Sequence, residues 1–355
     1  MREVRLYKPE ELGLCDRVQK FEDGLRTEPR SGSYEWWYFD SKFPDGSSLV
    51  IVFYTKHVTS FAKGFKPFVS LSYINPNGRE LRVEAHSDDY SFSKDACEVR
   101  IGECYVKGDL SHYDIYFKNE DAECKLSLDA SVPSWRPESG HIYFGRKDYF
   151  AWLPSVPEGR INGTLRIKDE LITLTGTGYH DHNWGNKFMI LLMNDWYWGR
   201  AKIGDYVVVS SYIYANKSDG YKPTPIFMLA KDGEILTGDA YKHLTYEEKD
   251  FIKDPYTKRH VAKTLVYDYN DKEKGIHYRI TYKKGDEEVE RQVMTDIVGR
   301  PLAILFYLLG FRGSYHRMGG RAMLERFEGE EPVERIEAPA MWEQMCFKPD
   351  RIKRA

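Results

Sequence analysis

The chain has 355 residues, with 52 Lys+Arg against 55 Asp+Glu and a formal net charge of −3. That near-balance leaves no electrostatic footprint for a nucleic-acid partner. Aromatic residues make up 15%, among them 26 Tyr, which excludes wholesale disorder and favours strands over helices.

At about 100–200 residues per domain, the length fits two domains, or one large one. The first ten residues carry charges throughout and no apolar core, which predicts no secretory leader. Ser33-Tyr-Glu-Trp-Trp-Tyr38 sets a carboxylate among aromatics and leads into Ser48–Tyr54, apolar on both faces and so a central strand. Glu80–His86, Cys124–Ala130, Leu171–Thr177 and Ile276–Tyr282 alternate apolar and polar residues, the period of half-buried strands. Tyr206–Tyr214 reads as a second central strand. Turns are expected at Pro44-Asp-Gly46, Asn75-Pro-Asn-Gly78, Lys231-Asp-Gly233 and Lys284-Gly-Asp286, where glycine supplies positive φ. Helical periodicity is weak and confined to 241–253 and 299–311. The sum is an antiparallel all-β protein, barrel or sandwich.

Glu35-Trp-Trp-Tyr-Phe-Asp40 and Asp195-Trp-Tyr-Trp-Gly-Arg200 repeat one theme: an acid, an aromatic cluster, then an apolar strand. This predicts two related β-domains, 1–185 and 186–355. The apolar run 301–311 is too short for a bilayer, which needs about 20 residues. It reads as a buried helix, or as a lip that touches a membrane surface or admits a greasy substrate. Cys15, Cys97, Cys104, Cys124 and Cys346 are odd in number and form no CxxC pair. That argues against a disulfide scaffold and a zinc site, and for reduced thiols in a cytoplasmic protein.

Nicotinamide, ATP and serine-hydrolase motifs are absent, so chemistry must come from side chains and pocket shape. The densest polar cluster is Gly176-Thr-Gly-Tyr-His180-Asp-His182-Asn183-Trp184-Gly185. In an extended chain His180 and His182 point one way and Asp181 the other. Three readings stay open: a histidine–carboxylate pair that moves protons, a metal pair needing further ligands, or imidazoles capping a barrel end through backbone carbonyls. Glu35 beside three aromatics is a usable acid if its pKa is raised, or a partner of an arginine. Trp196 and Trp198 beside Asp195 pack a core, or line a pocket where indole faces stabilise a cation.

EWWYFD, GYHDHNWG and DWYWGR, in this order, resemble the carotenoid hydratase family, with AttH-like proteins, kievitone hydratase and lipocalin-like Diels–Alderases as relatives. The resemblance covers Tyr34–Tyr214 well and continues loosely to Phe347. It implies two tandem lipocalin-like antiparallel β-barrels with few short helices, a hydrophobic ligand near the domain interface, and no metal or organic cofactor. Position by position, it carries over Glu35, Trp36, Trp37, Tyr38, His180, His182, Asn183, Trp184, Asp195, Trp196 and Trp198; we add Tyr212 as a substrate contact. The family's proton-donating acid beyond the HNW motif has no counterpart in Val207–Ala215, which holds no carboxylate. Protonation then falls to Asp195, Glu35 or a charged His182, or is not needed. The expected activity is a hydratase (hydro-lyase) or cyclase acting on an isoprenoid or polyene. The alternative is a carrier or sensor of a hydrophobic small molecule.

Overall fold

The structure is a computed structural model that describes residues 1–237, 242–298, 303 and 311–352. The chain divides into two compact units. The N-terminal unit comprises Leu6–Tyr143 and Lys147–Phe188, the C-terminal unit Met1–Arg5, Phe144–Arg146 and Met189–Ala355. Each is built on one curled antiparallel sheet, and among the described residues helix is confined to short pieces such as Met294–Val298.

The N-terminal sheet begins with consecutive hairpins: Tyr34–Lys42, Ser48–Tyr54, Phe68–Ile74 and Glu80–His86 lie side by side. Tyr34–Lys42 also pairs with the last strand, Glu170–Gly185, which continues through Asp148–Ile167 to Ala122–Ala130. The C-terminal sheet is wired the same way. Met193–Ile203 heads the hairpins Tyr206–Ala215 and Pro223–Lys231, and pairs with the last strand, Glu331–Cys346. Every second residue of the central strands packs inward: Leu49, Ile51 and Phe53 join Trp37 and Phe39 in the first core, and Tyr197, Val208 and Trp342 belong to the second. Each such side chain contributes about 1.5–3 kcal/mol of burial.

Glycines at 46, 78 and 233 take φ of +87°, +75° and +83° in the expected hairpin turns. Lys284-Gly-Asp286 is not a turn. It lies inside the strand Ile276–Val293, where the register shifts between Lys284 and Glu288. Close approach falls instead on Gly320 of the neighbouring strand, where a Cβ would meet Lys283 O at 2.2 Å and Gly285 N at 2.9 Å. The expected helix over 241–253 is corrected to a strand, Leu244–Lys253. Its acidic run looks helical, but Tyr246 stacks on Tyr212 at 3.7 Å and Glu248 receives Arg351, so cross-strand packing decides the conformation. The segment 299–311 lies outside the described residues apart from Ala303 and Phe311.

Candidate active site

Alternation on the Glu170–Gly185 strand sorts the central motif into two faces. Its register sets His180 beside Phe39, His182 beside Trp37 and Trp184 beside Glu35, and these residues form the inner face. The His180 ring stacks on Phe39 at 4.0 Å, and His182 lies between Trp37 at 4.7 Å and Trp184 at 4.6 Å.

Both imidazoles are bracketed by acceptors. His180 Nδ1 is 3.0 Å from the Tyr38 carbonyl and Nε2 is 3.1 Å from Asp23 Oδ2. His182 Nδ1 is 3.2 Å from the Glu22 carbonyl and Nε2 is 2.8 Å from Glu35 Oε1. A carbonyl only accepts, so each Nδ1 carries its proton and a second proton is held between each Nε2 and its carboxylate. Glu35 also accepts from the Arg26 amide (2.7 Å), the Thr27 amide (2.8 Å) and the Thr27 hydroxyl (2.6 Å). Glu35 thus stands among four hydrogen-bond partners, with the His182 ring as the one imidazole among them.

Asp23 and Glu22 enter on the short 3-10 helix Lys20–Asp23, which Trp37 pins by donating its indole N–H to the Asp23 carbonyl at 2.8 Å. Tyr113 donates to Asp23 Oδ2 at 2.6 Å. Burial pushes the Asp23 carboxyl up, but the charge and hydrogen bond of His180, with His182 and Tyr113, outweigh it and hold it below its ordinary value. Glu22 pairs with Arg136, Nε to Oε2 at 2.6 Å, with both side chains buried. Arg136 also donates to the carbonyls of Glu138 and Cys15. The result is a charge network in an aromatic core, hydrogen-bonded throughout except at Asp23 Oδ1. Glu35, His180 and His182 are 0% exposed, so they can hold protons but present no surface to a ligand. Asp23, Cys97 and His180 are close enough to share a metal ion.

The opposite face is a second constellation. Asp181 lies beside Tyr38 and Asn183 beside Trp36, with Trp152 next to Asn183 on the far side. Asp181 accepts from the Trp152 indole (2.8 Å), the Tyr179 hydroxyl (2.8 Å) and the Asn183 amide (2.7 Å). Burial raises its pKa, and the three donors work against that without cancelling it. Trp36 and Tyr38 are only half-buried. The two motifs of the N-terminal unit are thus each divided: Glu35, Trp37, His180, His182 and Trp184 inside, Trp36, Tyr38, Asp181 and Asn183 on the other face.

Asp195, Trp196, Trp198 and Tyr212 belong to the C-terminal unit. Asp195 meets Arg351 Nε at 3.1 Å and the Asn194 amide at 2.6 Å. Burial raises its pKa, with Arg351 opposing. Arg351 also binds Glu248 at 2.6 Å and lies over the Tyr214 ring at 3.5 Å. Trp196 and Trp198 are half-buried, and Trp196 meets Phe347 edge-on at 5.1 Å. Sequence reasoning missed Glu22, Asp23, Tyr113 and Arg136. Phe21-Glu-Asp-Gly24 has no pattern that marks it, and Asp181 carried only the alternation of its strand.

The family described as Diels-Alderase-like matches residues 29–346. A protein named hydroxyneurosporene dehydrogenase from Chlorobaculum tepidum is 29% identical over 258 residues, covering 59% of this chain and 65% of the relative. A protein named Diels-Alderase from Gibberella fujikuroi is 30% identical over 244 residues, covering 62% and 63%. The chain therefore spans just under two thirds of the length of these relatives. Among solved structures, CghA with Sch210972 superposes with a TM-score of 0.64 at 13% identity, covering 94% of this chain and 96% of that one, a likeness of fold. The match over nearly the whole chain, with its lipocalin-like fold, shows that this protein belongs to the Diels-Alderase-like family.

Proposed function

We propose that the protein is an enzyme acting on a hydrophobic isoprenoid or polyene-type substrate, as a hydratase or a cyclase. The observation that carries this reading is Asp181: an acid in an aromatic setting, raised by burial, with three donors poised for its conjugate base. Burial favours the neutral acid before proton transfer, and the donors stabilise the carboxylate after it. The Trp36 and Tyr38 rings stabilise positive charge developing on the substrate, and water or an internal nucleophile captures it. Without proton transfer, the same face folds a polyene into a reactive pose. Glu35, His180 and His182, sealed behind the two strands, act as positioning residues that fix the backbone carrying Asp181.

The test is incubation of the full chain with a hydrophobic metabolite extract, followed by mass spectrometry. A product heavier by one water supports hydration, and an isomer of unchanged mass with a new retention time supports cyclisation. Asp181→Asn, checked for folding by circular dichroism, should lose the hydration product. Undiminished hydration in that variant removes Asp181 from the mechanism, and recovery of a bound ligand unaltered in mass and retention time replaces the enzyme with a carrier.

A further inference from the structure

Asp23, Cys97 and His180 come from three separate elements of the N-terminal unit, and each is buried. One ligand atom from each lies within 4.8 Å of the others. Two further features point to an ion. Asp23 Oδ1 is a buried acceptor that no donor reaches within hydrogen-bond distance, His182 Nδ1 standing 3.6 Å away, and a buried oxygen of this kind suits an ion. The Nδ1–H of His180 is directed at the Tyr38 carbonyl, which turns Nε2 towards Asp23. Metal-bound histidines are oriented in this way, the second ring nitrogen donating to a carbonyl or carboxylate.

We propose that Asp23, Cys97 and His180 form a closed structural site for a divalent cation of the zinc type. Thiolate, imidazole and carboxylate together select zinc or cobalt over magnesium or calcium. With both Asp23 oxygens turned to the ion, four positions are filled and Oδ1 gains its partner. Bonds of about 2.0–2.3 Å place ligand atoms of different residues about 3.3–3.8 Å apart, so separations of up to 4.8 Å shorten by about 1.0–1.5 Å at most. Charge balances as well. The two positive charges of the ion replace two protons, one leaving the Cys97 thiol and one leaving the His180–Asp23 contact. The site ties the 3-10 helix to two strands of the sheet and is independent of the acid on the opposite face.

The test uses the full chain produced in medium containing zinc alone, desalted, and analysed for metal and protein; about one zinc per chain is expected. The chain produced with cobalt instead should show the near-ultraviolet thiolate-to-cobalt absorption. Cys97→Ala should lose that absorption, and Cys124→Ala, in the same core but outside the site, should keep it. A folded wild-type chain free of metal in both preparations overturns the proposal, as does a cobalt absorption that survives Cys97→Ala. If Cys97→Ala does not fold, the wild-type stoichiometry and the Cys124→Ala spectrum decide.

Discussion

Replacing Glu35 with alanine tests the inner network most directly. The carboxylate is 0% exposed and accepts four hydrogen bonds, one from His182. Its removal leaves the buried His182 ring, the Thr27 hydroxyl and two backbone amides without their partner. Breaking a buried ion pair from one side costs about 3–5 kcal/mol. The N-terminal unit holds about 180 residues, so its unfolding entropy is about 0.4 kcal/mol per degree and its melting point should fall by about 10 °C. Glu35→Gln keeps the shape. Its carbonyl oxygen can serve Thr27 and its amide can donate to a neutral His182, but the amide nitrogen then faces the Arg26 N–H. We expect about 1–3 kcal/mol for that single conflict. Urea titration followed by tryptophan fluorescence is the assay, since Trp37 and Trp184 sandwich His182. A Glu35→Ala loss below about 1 kcal/mol would mean that water reaches the pair, and the sealed-network argument would fail.

Three other outcomes are expected. Arg351→Ala should destabilise the C-terminal unit by about 3 kcal/mol in urea titration, because Asp195 and Glu248 are left buried and unpaired; a change within about 0.5 kcal/mol would reduce the contact to a surface pair. Gly176→Ala should lower stability by about 1–3 kcal/mol on thermal melting, since a Cβ there would sit 2.1 Å from the Lys42 carbonyl; an unchanged melt would deny that close approach. Asp254 is held below its ordinary value because, although burial raises it, bonds from Thr257 and Arg291 prevail. Its stabilisation is therefore complete above the unfolded value of 3.8 and disappears as pH falls through the lowered folded one. Urea stability measured from neutral pH downwards should fall less steeply in Asp254→Asn than in wild type, and equal slopes would refute the assignment.

Much of this fold is legible because the strand period is two. Glu80–His86 and Ser48–Tyr54 begin and end where the alternation or the apolar run does. The same rule separates His180 and His182 from Asp181. What stays illegible is contact at long range. Asp23 meets His180 across 157 positions and Glu22 meets Arg136 across 114, and nothing local to Phe21-Glu-Asp-Gly24 announces either. The charged run in Leu244–Lys253 misleads for the opposite reason: its local composition suits a helix, but an aromatic stack and an arginine from the far end of the chain draw it into the sheet. Cys97 likewise meets Asp23 and His180 through topology, which cysteine spacing does not report.

The division of one aromatic motif between two surfaces has a practical consequence for altering this protein. Trp36 and Tyr38, half-buried on one face of Tyr34–Lys42, can be varied while the buried Tyr34, Glu35, Trp37, Phe39 and Asp40 are left untouched. A variant library restricted to Trp36 and Tyr38 would explore new selectivity while keeping both Asp181 with its donors and the charge scaffold beneath, whereas substitutions one residue along the chain fall on the buried Glu35, Trp37 and Phe39.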